Sequence, residues 1–137
     1  MENGGLMIKI LLTSHGTMAE GMVQSVKMLI GEQEHLEVVT FAEEMGAEEL
    51  EELYAQKLSD TSDDNQWLVF CDLKGGTPFN VVSKFSFKNE NVAVIYGMNL
   101  PVVIEALVLS APQELSLNEL VDDIVGKTAE SIGLSEI

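Results

Sequence analysis

Apolar positions along this chain fall into two alternating rhythms. Met7 to Thr13 is a near-continuous apolar run, the pattern of a parallel strand covered on both faces. Ser14-His15-Gly16 reads as a turn, and Thr17-x-x-Glu20 as a capping box that opens a helix. Ala19, Met22, Val23, Val26, Leu29 and Ile30 then recur at helical spacing, with Met18, Met22 and Met28 as core filler, and Gly31 closes the helix. Leu36 to Phe41 predicts a second strand. Ala47 to Leu58 predicts a second helix with Leu50, Leu53, Tyr54 and Leu58 inward, its glutamates forming a solvated face. After a polar loop, Gln66 to Asp72 predicts the third strand. Lys74-Gly75-Gly76 is a turn, with Thr77 as N-cap and Pro78 at the first helical position of a helix to about Phe87. Asn91 to Tyr96 predicts a fourth strand, Val102 to Leu109 a helix, and Ser116-x-x-Glu119 a capping box before a last amphipathic helix.

This alternation predicts an α/β fold: one doubly wound domain, a mainly parallel four-stranded sheet with helices on both faces. In the order 2-1-3-4 the chain reverses direction across the sheet between strands one and three. Ligands bind at that point, outside the carboxyl ends of the strands. His15 follows strand one and Asp72 ends strand three, so the topology brings two residues distant in the chain to one crevice. The domain is expected over residues 7–137. Residues 1–6 read as a leader, with Met7 at or near the natural start.

Composition narrows the partners. The 137 residues amount to one ordinary domain, and 46% of them are hydrophobic, which argues against disorder. The apolar runs fall short of the roughly 20 residues a membrane span needs, so no direct membrane insertion is expected. A formal charge of −16 disfavours nucleic acid and anionic lipid and favours a basic protein partner. Cys71, the single cysteine, sits in an apolar run and reads as a buried, inert thiol in a reducing compartment, hence a cytoplasmic protein. All seven basic residues are lysines. Without arginine forks, backbone amides or a partner's cations must hold any phosphate.

The candidate chemistry gathers at the expected crevice. A carboxylate bonded to one imidazole nitrogen fixes the tautomer and leaves the other nitrogen as a nucleophile, which assigns His15 and Asp72 their roles. Gly75 and Gly76 let the backbone approach a ligand, and the helix behind Thr77 offers free amides and the positive end of its dipole. Gly16 and Thr17 open the first helix toward the same place, so these five residues form the expected phosphoryl seat. His35 reads as a surface loop residue. No cluster has metal-ligand spacing and no nucleotide-binding glycine motif follows a strand, so neither metal nor cofactor is expected.

Three motifs in order carry a resemblance: Thr13-Ser14-His15-Gly16-Thr17-Met18-Ala19-Glu20-Gly21, Asp72-Leu73-Lys74-Gly75-Gly76-Thr77-Pro78-Phe79-Asn80, and Gly97-Met98-Asn99-Leu100-Pro101. Over nearly the whole chain the sequence resembles the IIA component of the mannose family of the bacterial sugar phosphotransferase system. The resemblance implies a homodimeric α/β domain. It also implies that His15 takes a phosphoryl group from the carrier HPr and passes it to a histidine of the IIB component. That component phosphorylates sugar entering through the membrane subunits IIC and IID. Asp72 matches the family's histidine-orienting aspartate, and Gly75 and Thr77 match the loop around the phosphohistidine. Lys74 departs from the tryptophan that some mannose-type members carry, which leaves fructose, sorbose, N-acetylated hexosamine or gluconate as alternatives to mannose.

Three other readings use the same crevice. A receiver-type module would be phosphorylated on Asp72 but needs further carboxylates after strand one, where Ser14 and His15 stand. A flavin- or nucleotide-binding module would not depend on His15. A histidine phosphatase normally needs arginines around the phosphate.

Overall fold

The computed structural model describes residues 6–136, so the leader expectation falls outside it for residues 1–5. The chain runs β1 (Met7–His15), α1 (Met18–Ile30), β2 (Leu36–Phe41), α2 (Ala47–Lys57), β3 (Asn65–Cys71), α3 (Thr77–Lys88) and β4 (Val92–Ile95). Helices α4 (Leu100–Ser110) and α5 (Leu117–Lys127) and a 3-10 turn (Thr128–Ser131) follow. The four strands pair in the order β2-β1-β3-β4, all parallel, which is the predicted sheet.

Strand alternation divides the core in two. Ile8, Ile10 and Leu12 of β1 face α1, α4 and α5, together with Leu68 and Phe70 of β3. Leu11, Val39, Trp67 and Val69 face α2 and α3, where Leu50, Tyr54, Val81 and Val82 cover them. Lys9, Thr13 and His15 share the parity of Leu11, so His15 emerges on the α2/α3 side of the sheet. Ser14 has the opposite parity and emerges on the side of α1.

Several local expectations are corrected. Strand β1 runs two residues further than its apolar run suggests, so His15 is its last residue and the turn begins at Gly16. Pairing of Ser14 with Thr40 and of His15 with Phe41 extends the ladder there, a tertiary gain that outweighs the local turn tendency. The Thr17–Glu20 capping box does not form, because Thr17 makes no side-chain cap bond. The buried Ser14 hydroxyl instead accepts from the Ala19 amide at 2.8 Å. In α3 the N-cap is Gly76, with no side-chain cap, and Thr77 and Pro78 lie inside the first turn. Met18, Met28 and Leu29 are exposed rather than core, because α1 packs on the sheet along a stripe through Ala19 and Val26. The Ser116–Glu119 box forms in both directions, at 2.9 and 3.1 Å. Among the described residues no helix is long and apolar enough to cross a membrane.

Candidate functional site

At the carboxyl rim of the sheet, between β1 and β3, His15 meets Asp72, which follows β3 directly. His15 Nδ1 and Asp72 Oδ2 lie 2.8 Å apart, and the His15 amide donates to the same oxygen at 2.9 Å. The two neighbouring parallel strands put these residues side by side. The backbone bond ties the carboxylate to the strand end as well as to the ring.

Protonation follows from the surroundings. Burial alone would raise the Asp72 carboxyl, but the His15 amide, the ring N–H and the ring's charge outweigh it and hold it below the usual carboxylate value. Asp72 is therefore ionised at neutral pH and can only accept. The Nδ1 nitrogen therefore carries a proton, and in the neutral ring this leaves the lone pair on Nε2. Asp72 Oδ1 is buried with no partner among the described residues, and Oδ2 takes both the His15 amide and the ring.

Two further contacts fix the ring. Phe41, the register partner of His15, meets it edge-on with centroids 5.8 Å apart and planes at 73°. On another side lies Gly76: a Cβ placed there would stand 2.7 Å from His15 Cε1 and 3.4 Å from Nε2. Gly76 has an ordinary φ of −75°, so glycine is needed there for space. Gly75 needs glycine for conformation, at φ +83°. Behind the ring, Thr13 donates to the Val39 carbonyl at 2.8 Å and takes a bond from Tyr54 at 2.7 Å, latching α2 to the sheet.

The five expected phosphoryl-seat residues divide on this geometry. All lie at the rim, but the Gly16 amide donates to Phe41 O at 2.9 Å and the Gly76 amide to Leu73 O at 3.1 Å, so both are committed. Gly76 contributes space beside Nε2. No acceptor among the described residues takes the Thr77 amide or hydroxyl or the Gly75 amide, and α3 begins without a side-chain cap. These donors, at the positive end of α3, are free to meet an anion. Asn80 steadies their loop by donating to Gly75 O at 3.1 Å. Gly16 and Thr17 form the turn after β1, with Thr17 exposed and uncapped.

Phe41 escapes a sequence reading because it looks like one more apolar strand residue. Only the parallel register sets it beside His15. His35 lies in the turn before β2, at the opposite rim. Cys71 is fully buried, and burial pushes its thiol up to about 12, an inert group at neutral pH. The rim itself is open: His15 is 46% exposed, and Met18, Leu73 and Tyr96 stand exposed around it. Open apolar surface around a half-exposed histidine suits a macromolecular partner better than an enclosed small molecule.

Comparison with known proteins follows the same lines. The family model described as the PTS system fructose IIA component matches residues 9–125. The fructose-specific EIIA component of Bacillus subtilis (strain 168) is 30% identical over 125 residues, covering 91% of this chain and 84% of that protein. The mannose-specific EIIAB component of Escherichia coli (strain K12) is 34% identical over 114 residues; the match covers 83% of this chain but only 35% of that longer protein. A solved structure of the mannose/sorbose specific IIA subunit from Enterococcus faecalis superposes with a TM-score of 0.85 at 29% identity, over 96% of this chain and 97% of that one.

Proposed function

This chain belongs to the EIIA-man family, the fructose IIA components of the sugar phosphotransferase system, and from that premise we propose that it is a phosphoryl carrier loaded on His15. The donor is phosphohistidine on HPr, the acceptor is a histidine of a IIB component, and the place of action is the cytoplasm. The observation that carries this reading is the 2.8 Å contact between Nδ1 and Asp72 at the open rim, which leaves Nε2 as a free nucleophile.

In this reading the Nε2 lone pair of His15 attacks phosphorus in line as the bond from phosphorus to the donor imidazole breaks, and the departing ring nitrogen keeps that electron pair. The Nδ1 proton stays in its bond to Asp72, whose charge balances the cationic ring. Transfer to IIB is the same step with His15 as leaving group. Such transfer depends on alignment and charge stabilisation more than on covalent work by the protein. Phe41, Gly76 and Asp72 align the ring, and the Gly75 and Thr77 donors meet the phosphoryl oxygens.

The test is to incubate the protein with phosphoenolpyruvate, enzyme I and HPr, and to compare it with His15→Ala by intact mass. The parent gains one phosphoryl group in an acid-labile, alkali-stable bond, and the variant gains none. Equal labelling of the variant, or loss of the label in alkali as from an aspartyl phosphate, refutes the assignment to His15.

A further inference from the structure

Lys74 is the one charged residue of the central motif that the mechanism above leaves unused. It occupies the corner of a tight turn closed by the Gly76 amide donating to Leu73 O at 3.1 Å, with Gly75 at φ +83° in the position where such a turn requires it. The turn joins Asp72 to Gly76, so both of its ends touch His15.

The electrostatic setting of Lys74 is unusual for this chain. With 23 acidic residues against seven lysines, carboxylate partners abound. Lys9, Lys27, Lys57, Lys84 and Lys127 each form an ion pair at 2.6 to 3.1 Å. Among the described residues Lys74 has no such pair. Lys88, the other lysine without one, ends α3 and so lies at the opposite rim. The Lys74 ammonium rests instead over the Tyr96 ring, 5.3 Å from its centroid, and Phe79 braces that ring edge-on at 5.9 Å. An exposed cation–π contact is weak, and a phosphoryl dianion competes with it easily. Two peptide links, each about 3.8 Å between Cα atoms, separate Lys74 from Gly76. A Cβ on Gly76 would already stand 3.4 Å from Nε2. The Lys74 backbone thus lies two residues from the glycine that borders Nε2, and its flexible four-carbon stem adds to that reach.

We propose that Lys74 is this chain's own cation for the transferring phosphoryl group, held in reserve on Tyr96 and drawn to the phosphoryl oxygens when His15 is loaded. The proposal rests on the phosphohistidine reading above and adds to it a charge that backbone amides do not supply. Lysine binds as a flexible point charge, so it can follow the group during arrival and departure.

The test compares wild type, Lys74→Met and Lys74→Arg in single-turnover transfer from phospho-HPr. Removing one charge-assisted donor from the migrating group slows transfer about tenfold in Lys74→Met, while Lys74→Arg stays within about threefold of wild type. Melting temperatures stay level, because the side chain is exposed. In the wild type, phosphorylation also shifts the Tyr96 ring resonances in NMR spectra as the ammonium leaves. Equal rates for wild type and Lys74→Met, or equal slowing in Lys74→Met and Lys74→Arg, overturns the proposal. So do Tyr96 resonances unmoved by phosphorylation. In each of these cases labelling of His15 in the wild type leaves the phosphohistidine reading standing. Labelling of His15→Ala removes that reading and the role of Lys74 with it.

Discussion

At the residue scale the site depends on how few freedoms the His15 ring retains. Asp72→Asn keeps the shape of the contact but allows the amide to donate to Nδ1, which moves the proton to Nε2 and removes the nucleophile's lone pair. Phosphoryl uptake then slows at least tenfold in single-turnover assays while circular dichroism is unchanged. The same variant reports on acid stability. Because the Asp72 carboxyl lies below its ordinary value of 3.8 in the folded chain, the unfolded chain takes up its proton first as the pH falls. The stabilisation is complete above that ordinary value and is lost as the pH drops through the lower folded one. Denaturation curves of wild type and Asp72→Asn therefore converge in that acid window, with the difference greatest near neutrality. Gly75 and Gly76 separate in the same way. Gly75→Ala destabilises by about 1 kcal/mol, because its φ is positive. Gly76→Ala changes stability by under about 1 kcal/mol, but its Cβ, 2.7 Å from Cε1, must displace the ring. Transfer in Gly76→Ala falls at least tenfold, with shifted His15 ring resonances as the direct check.

At the scale of elements, the helix that follows His15 is capped from inside the strand. Ser14 points toward α1 by strand parity and takes the Ala19 amide, while Thr17 makes no cap bond. Ser14→Ala is expected to cost about 1 kcal/mol and to lower Tm by about 3–4 °C, whereas Thr17→Ala stays within about 0.5 kcal/mol. Equal effects of the two would show that the local capping motif matters after all. The pattern legible in sequence was the existence and order of these elements. Their ends were less legible, because the last two residues of β1 are held by pairing with Thr40 and Phe41 rather than by any local preference.

At the scale of the whole molecule, a chain of net charge −16 presents His15 at an open rim. On the proposed reading that charge steers association with the donor, so the association rate constant with HPr is expected to fall as salt rises from about 0.05 to 0.5 M, while dissociation changes less. Stopped-flow binding at several salt concentrations measures this, and a salt-independent rate constant would argue against charge steering. The sequence by itself determined the element order and the parallel sheet, through periodicity and the handedness of crossovers. The 2-1-3-4 arrangement is the common one for such a sheet, and the meeting of His15 with Asp72 depends on it; the strand pairing fixed both. Only the tertiary structure decided which side of the sheet His15 leaves from. Strand β1 is apolar on both faces, so its pattern carries no parity signal. That choice in turn set Phe41 and Gly76 against the ring, committed the Gly16 and Gly76 amides and left Thr77 free, because contacts between strands and helices far apart in the chain are fixed by register and packing rather than by neighbours in sequence.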